Sequence, residues 1–230
     1  MKINVYPLHL QLKMSEETQI EMKVLFRKEY MLYLLRNGKT PVTIYAFCED
    51  IDVLEQEFYK YYGSFKALEK DVWNEMFENV NAILLSDENF PEYTSYEKWL
   101  SFLYTLIEEF KSNRSYVMLR CENLERTEFR PWFLEGFRVS VFTFITDVVN
   151  QGLESDEIAS RPVITSKYNE VLWVQFLYVI RVWVNDESED FQITDAAIEK
   201  TSVMLFEMMK KGPIDMLIDF VKFAYQNKAY

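Results

Sequence analysis

Turn-forming residues are scarce in this 230-residue sequence, which contains only five glycines and six prolines. An all-β fold needs many tight turns, so this scarcity favours long helices over strands. Apolar residues make up 49% of the chain and aromatic residues 17%, which is enough to bury a sizeable core. We therefore predict an all-α fold.

Apolar residues recur at helical spacing along most of the chain. Pro131 is placed to begin one helix and Gly152 to end it, and Thr94 and Glu97 have the spacing of a capping box. A polar loop near residues 86–91 separates a first domain, 1–80, from a second, 81–230. The predicted helices cover residues 16–36, 43–50, 54–61, 64–80, 94–111, 131–150, 168–185, 194–211 and 214–227.

The net charge of −12 and the absence of a strongly basic segment argue against a general attraction to DNA or to anionic membranes. The strongest apolar run, residues 171–184, is interrupted by Gln175 and Arg181 and is shorter than the ~20 residues that span a bilayer. The first residues lack a signal-peptide pattern. Cys48 and Cys121 lie in apolar helical patterns, so we expect buried thiols in a cytoplasmic protein without membrane association.

Two short predicted helices, 43–50 and 54–61, lie between longer ones and form a helix-turn-helix pattern. Gly38 suits a helix C-terminus, and Thr43 suits the N-cap of the first short helix. Residues 37–73 read NGKTPVTIYAFCEDIDVLEQEFYKYYGSFKALEKDVW and resemble the DNA-binding domain of TetR-family transcriptional regulators. The residues that carry this resemblance are Gly38, Thr43, Phe47, Val53, Phe58, Tyr59, Tyr62, Gly63 and Leu68.

The run WVNDESEDFQITDAAIEKTSVMLFEMM, residues 183–209, is similar to the C-terminal domain of TetR-like proteins. The resemblance implies a TetR-like architecture, with a small N-terminal helix-turn-helix domain and a larger helical bundle domain. It also implies a homodimer that binds operator DNA under the control of a small ligand.

The sequence departs from the TetR pattern at four positions of the helix-turn-helix. Ile51 replaces a small alanine, Asp52 replaces the glycine of the turn, and Glu55 replaces the serine or threonine that opens the reading helix. Phe65 stands where the family has a lysine, although Lys66 follows it. Residues 49–59 hold five acidic side chains and no basic one, which opposes the phosphate attraction on which DNA binding depends.

Two interpretations of this module stay open from the sequence. In the first, the module binds operator DNA through Thr43, Tyr59, Lys60, Tyr61 and Lys66. In the second, it is a scaffold that has lost DNA binding, and the protein is a ligand-binding or protein-interaction module.

Aromatic residues of the second domain form stripes on three predicted helices. Ligand pockets are mostly apolar with a few polar groups, so the stripes fit a small apolar ligand such as a lipid, although they are also typical of a plain core. Arg138 and Arg181 interrupt these helices and would suit an anionic head group or the protein surface. The predicted ligand-binding residues are Trp99, Phe102, Phe133, Phe137, Phe144, Trp173 and Phe176.

The helices at 168–185 and 194–211 are expected to form the homodimer interface. Its candidate residues are Val174, Leu177, Val184, Val203, Leu205 and Met208. The chain has a single histidine, His9, and lacks phosphate-binding and dinucleotide-binding motifs. We therefore expect no enzymatic activity, no catalytic residues, no metal site and no cofactor.

Overall fold

A computed structural model describes the backbone of residues 8–122, 124–125, 127–161 and 164–227, with side chains from residue 19 onward except those of 213, 214 and 218. The described residues form ten α-helices and short 3-10 turns, without a strand. The prediction of an all-α fold is confirmed. The helices are α1 (Leu8–Asn37), α2 (Ile44–Asp50), α3 (Glu55–Tyr61), α4 (Phe65–Ser86), α5 (Ser95–Ser112), α6 (Arg114–Cys121), α7 (Glu135–Glu154), α8 (Tyr168–Val184), α9 (Gln192–Met209) and α10 (Pro213–Gln226).

The chain divides into two compact units, residues 1–73 and 74–230. Helix α4 begins in the first unit and ends in the second, so the boundary expected between residues 80 and 81 falls inside this helix. Among the described residues, no helix is both long and apolar enough to cross a membrane.

An aromatic cluster forms the core of the first unit. The ring of Phe58 lies 5.3 Å from that of Phe26, 6.3 Å from Phe47 and 5.7 Å from Phe65, measured between centroids. Tyr30 of α1 stacks on Phe65 at 5.6 Å. Phe65 therefore joins the first helix to the two short ones, which gives a structural reason for an aromatic residue where the family has a lysine.

Buried polar contacts also tie α1 to α4. Arg27 pairs with Asp71 at 2.9 Å, and the same carboxylate accepts a hydrogen bond from the Tyr62 hydroxyl at 2.6 Å. The hydroxyl of Tyr30 donates to Glu69, whose side chain is fully buried. Burial and the adjacent Asp71 carboxylate raise the pKa of Tyr62, so its hydroxyl stays protonated and keeps donating.

The second unit packs α5 and α9, α5 and α7, α7 and α8, and α8 and α9 against one another. The buried amide of Gln175 lies between three of these helices. It accepts a hydrogen bond from the indole N–H of Trp99 at 2.9 Å, and its NH₂ group donates to Thr201 and Ser202 at 2.8 and 2.7 Å. The interruption of the apolar run at Gln175 is therefore a buried link between α5, α8 and α9.

Local sequence signals place several helix ends correctly, but the expectation for Gly152 is wrong. The capping box of Thr94 and Glu97 is present at the start of α5. Gly152 does not end α7, which continues to Glu154. An added Cβ at residue 152 would lie 2.6 Å from Cδ1 of Ile158 and 2.8 Å from Oγ of Ser95. Gly152 is thus needed for close packing rather than for a helix stop.

Asp186 lies in the acidic stretch between α8 and α9, yet its side chain is buried. Its Oδ2 accepts hydrogen bonds from the backbone N–H and hydroxyl of Thr194 at 2.8 and 2.6 Å. Its Oδ1 accepts from the backbone N–H of Ser188 at 2.9 Å and from the Ser188 hydroxyl. The carboxylate therefore holds the first turn of α9.

Both cysteines are buried free thiols, as predicted. Burial raises the pKa of Cys121 to about 12, although Arg181 and Arg120 act in the opposite direction. The helix α6 was not predicted, because its eight residues lack a sustained apolar repeat.

Replacing Gly152 with alanine is expected to destabilise the protein by roughly 1–3 kcal/mol, because the added methyl group overpacks the contact with Ile158. Urea unfolding followed by circular dichroism measures this change. Gly63→Ala is the control, since no atom lies within 4 Å of its added Cβ, and it should change the free energy of unfolding by less than about 0.5 kcal/mol. Equal effects of the two substitutions would contradict the packing role.

Asp186→Asn is expected to lower the free energy of unfolding at pH 7 by about 2 kcal/mol, because an amide cannot accept all four hydrogen bonds. Burial opposes ionisation of Asp186, but the bonds from Ser188 and Thr194 outweigh it and lower its pKa to about 2. This is below the unfolded value of about 3.9, so the stabilisation is present above pH ~4 and lost as the pH falls towards 2.

Urea unfolding of the wild type and of Asp186→Asn between pH 7 and pH 2 tests this expectation. The difference should shrink below pH ~4. The exposed neighbour provides a control, Glu187→Gln, which should leave stability unchanged within about 0.5 kcal/mol. A difference that stays constant down to pH 2 would rule out the ionised carboxylate as the cause.

Candidate functional site

The turn between α2 and α3 is built by local backbone contacts. The hydroxyl of Thr43 accepts a hydrogen bond from the backbone N–H of Ala46 at 3.1 Å, which caps α2. At the other end of α2, Asp52 adopts a left-handed conformation with φ of 55°. This is the position at which the TetR pattern has glycine. Aspartate is among the few other residues that tolerate this conformation, so the turn survives the substitution.

Helix α3 begins without a side-chain cap, because its N-cap residue is Leu54. Glu55 and Glu57 lie in its first turn, where negative charge interacts favourably with the helix dipole. Two of the acidic residues that oppose DNA binding therefore have a structural role in a helix of only seven residues.

The two glutamates in the first turn of α3 have different partners: one pairs with a cation and the other accepts a hydrogen bond from a neutral hydroxyl. Lys60 pairs with Glu57 at 2.6 Å, and the hydroxyl of Tyr59 donates to Glu55 at 3.4 Å. Both contacts are exposed, so each contributes little to stability. Asp52 is exposed, and Arg27 pairs with Asp71 instead. The surface therefore keeps an acidic character.

The five predicted DNA-contact residues differ in exposure. Thr43, Tyr59, Lys60 and Lys66 are exposed, whereas Tyr61 is half-buried with its ring 5.9 Å from that of Phe26. Tyr61 therefore presents only part of its side chain to solvent.

Several exposed apolar side chains of this module were not evident from the sequence. Val42, Tyr45 and Leu54 are exposed, and Leu54 is 71% exposed. A shallow concavity of about 420 Å³ is lined by Tyr45, Glu49, Asp52, Val53, Leu54 and Glu55. The helical repeat did not predict this concavity. The helices α2 and α3 have only seven residues each, so the pattern of apolar residues could not separate core-facing from exposed side chains.

Most of the predicted ligand-binding residues pack into a row of rings in the second unit. Trp99 stacks on Phe102 at 5.4 Å, and Phe102 stacks on Phe144 at 4.8 Å. Phe77 contacts both Phe102 and Phe137, at 6.2 and 6.1 Å.

The row continues from Phe137 to Phe176, whose ring centroids lie 5.3 Å apart. It ends at Trp173, whose ring lies 4.8 Å from that of Phe176. Phe133 precedes Phe137 in the chain, and its ring contacts that of Trp132. We call this set of rings, from Trp99 to Trp173, the aromatic row. Apart from the half-buried Phe144, the predicted ligand-binding residues are buried.

The two arginines considered for an anionic head group have different surroundings. Arg181 donates to the backbone carbonyls of Glu125 and Glu128 at 2.8 and 3.0 Å and so holds the segment before α7. Arg138 lies over the ring of Phe142 at 3.9 Å, and burial and Arg130 lower its pKa. Arg138 therefore remains the better candidate for an anion beside the aromatic row.

The outer surfaces of α8 and α9 carry half-exposed apolar side chains. Val174, Val203 and Met208 of the predicted interface lie on this surface. Leu177 and Val184 do not, because both are buried in the core of their own chain. The helical repeat marked both apolar sides of α8 and could not separate the inner from the outer one.

A groove of about 520 Å³ runs between α8 and α9. Its lining is almost wholly apolar, and the buried amide of Gln175 forms part of it. We call this feature the α8–α9 groove. Its residues are Lys167, Glu170, Val171, Val174, Gln175, Tyr178, Thr201, Met204 and Leu205.

Residues 98–224, more than half of the chain, match the model of the tetracyclin repressor-like C-terminal domain. No curated protein matches the chain.

Asp52→Gly is expected to stabilise the protein by about 0.5–1 kcal/mol, because glycine adopts the left-handed conformation without the cost that a Cβ brings. Asp50→Gly is the matched control. Asp50 ends the helix α2, where glycine should destabilise by up to about 1 kcal/mol. Urea unfolding of both variants measures the two changes, and a loss of stability in Asp52→Gly would contradict the role of the turn.

Proposed function

This chain belongs to the tetracyclin repressor-like (TetR) family, and we propose that it acts as a homodimeric transcriptional regulator that binds operator DNA and responds to a small apolar ligand. The observation that carries the proposal is the intact helix-turn-helix. Thr43 caps its first helix and a left-handed residue makes its turn, in a chain with a TetR-type C-terminal domain.

DNA contact is assigned to Thr43, Tyr59, Lys60, Tyr61 and Lys66. Because the surrounding face is acidic, phosphate attraction is weak and non-specific affinity is low. Specific binding then depends on contacts with base edges. One such contact is a hydrogen bond that a carboxylate such as that of Glu55 accepts from the amino group of cytosine. We therefore expect a narrow set of operators, bound best at low salt.

Dimerisation is assigned to the outer surfaces of α8 and α9. Six of their apolar side chains, Val171, Val174, Tyr178, Val203, Met204 and Met208, are exposed in the single chain. A two-fold interface through these helices would pair two helix-turn-helix units, as palindromic half-sites require.

The ligand is assigned to the aromatic row, with Trp99, Phe102, Phe133, Phe137, Phe144, Trp173 and Phe176 as its contacts. The rings already contact one another, so a ligand would have to part them on entry. An apolar molecule such as a fatty acid fits this chemistry, and Arg138 would face its carboxylate.

The exposed apolar residues of the helix-turn-helix favour a second candidate function. Tyr45 and Leu54 lie beside Glu49 and Asp52, and aromatic and aliphatic anchors are typical of protein interfaces rather than of DNA-binding surfaces. In this alternative, the module has lost DNA binding and docks a basic protein partner.

Selection of genomic DNA fragments at low salt tests the main proposal. We expect the ligand-free dimer to retain a small set of fragments, and a long-chain fatty acid to release them. Failure to retain any fragment at about 50 mM salt would exclude operator binding and favour the protein-docking alternative.

Lys60→Ala is expected to weaken binding of a retained fragment and to reduce the salt dependence by about one phosphate contact. Lys210→Ala is a matched control, because both lysines are exposed and each pairs with a glutamate three residues earlier at 2.6 Å. Fluorescence anisotropy at several salt concentrations measures both variants. Equal salt slopes for the wild type and Lys60→Ala would remove Lys60 from the DNA contacts.

A further inference from the structure

The start of α10 is fixed to the body of the second unit by Arg161. This side chain is only 3% exposed, and its Nε and Nη2 donate to the two carboxylate oxygens of Asp215 at 2.7 and 2.9 Å. Nη1 donates to the hydroxyl of Tyr168 and to the carbonyls of Met208 and Met209, at 2.8, 3.1 and 3.2 Å. One guanidinium thus joins the start of α8 and the end of α9 to the first turn of α10. It therefore fixes the direction of α10 relative to these two helices.

The rest of α10 is apolar over most of its circumference. Its polar residues Asp215, Asp219, Lys222 and Gln226 follow one another at intervals of four, three and four, and so form a single narrow stripe. A helix that is apolar on most sides is normally buried. The large apolar side chains of α10 that the structure describes are nevertheless exposed: Met216, Leu217, Phe220, Val221, Phe223 and Tyr225.

The α8–α9 groove begins where α10 is anchored. Lys167 lines the groove and precedes Tyr168, whose hydroxyl accepts from Arg161. None of the described side chains of α10 lines the groove within its own chain. Two complementary apolar surfaces, a groove and a helix, therefore lie at one end of the unit without covering each other.

The charges at the edge of the groove match those on α10. Lys167 and Glu170 stand three residues apart on the groove, and Asp219 and Lys222 stand three residues apart on α10. A parallel alignment of the two helices places each charge opposite its counterion.

We propose that α10 is an exchanged arm, which packs its apolar face into the α8–α9 groove of a second copy of this chain. The inference rests on the proposed homodimer and names the segment that completes its interface. A helix of 14 residues is about 21 Å long, which exceeds the 8–10 Å between packed helices, so an arm of this length can span to a helix that packs beside it. Symmetry makes the exchange reciprocal, so both grooves are filled.

A lipid surface is the competing occupant of an amphipathic helix. Helices that lie on membranes carry Lys and Arg along their polar face. The stripe of α10 has two aspartates and one lysine, so it does not attract anionic lipid. The charge pattern therefore favours the second copy.

A disulfide-trapping experiment tests the exchange in the full chain. One tagged chain carries Met204→Cys in the groove and a second, differently tagged chain carries Phe220→Cys on α10. We expect a disulfide between the two tags after mixing and mild oxidation, since the native thiols Cys48 and Cys121 are buried. Val139→Cys on α7 replaces Met204→Cys in the control, because Val139 is exposed to 65%, and it should not cross-link.

Sedimentation equilibrium provides an independent measurement. The double substitution Phe220→Asp and Phe223→Asp is expected to raise the dimer dissociation constant about 10-fold or more. Val139→Asp is a matched control, because Val139 and Phe220 are both 65% exposed, and it should leave the constant unchanged. All substituted residues are exposed, and circular dichroism of each variant verifies that it folds.

The outcomes separate this inference from the homodimer itself. A wild-type chain that is monomeric at every concentration would overturn both. A dimer that forms no cross-link and is unaffected by the aspartate variants would overturn the arm and leave the homodimer. Wild-type binding to phosphatidylcholine–phosphatidylglycerol vesicles that the aspartate variants lose, with dimer affinity unchanged, would assign α10 to a membrane instead.

Discussion

The buried amide of Gln175 is the contact on which the arrangement of the second unit depends. It satisfies the indole of Trp99 on α5 and the hydroxyls of Thr201 and Ser202 on α9, and it is itself part of α8. Buried polar groups are costly unless their bonds are made, so these three helices are held in one relative position. The same amide borders the α8–α9 groove, while Trp99 begins the aromatic row. The aromatic row inside the unit and the groove on its surface therefore depend on the same set of hydrogen bonds.

The acidic helix-turn-helix has a local structural explanation that does not involve DNA. Asp52 supplies a left-handed turn residue, and Glu55 and Glu57 stabilise the uncapped start of α3. Glu69 and Asp71 accept hydrogen bonds from α1 and hold it against α4. Asp52 and Glu55 stand where the TetR pattern has a glycine and a serine or threonine. The negative charge of the module therefore follows from the residues that build its turn and helix ends. The exposed face is acidic as a result.

Much of the fold was predictable from the sequence because it follows from local patterns. Scarce glycine and proline predicted helices, and the cap at Thr43 placed α2. Features that depend on distant contacts were not predictable. Gly152 was mistaken for a helix stop because Ile158 approaches it only after folding, and Leu177 was placed at an interface although it faces the core. For the same reason the sequence did not reveal Arg161, whose partners lie 7 to 54 residues away.

The clamp made by Arg161 also determines what happens if the tail of the chain is cut. Removal of the residues after Lys211 would take away Asp215, the only carboxylate bonded to this guanidinium among the described residues. The cation would lose its counterion, and a partly buried charge without its counterion is destabilising. Arg161 would keep its bonds to the Tyr168 hydroxyl and to the carbonyls of Met208 and Met209, but these neutral groups do not replace the carboxylate. A protease that trims α10 would thus weaken the body of the second unit as well as shortening it.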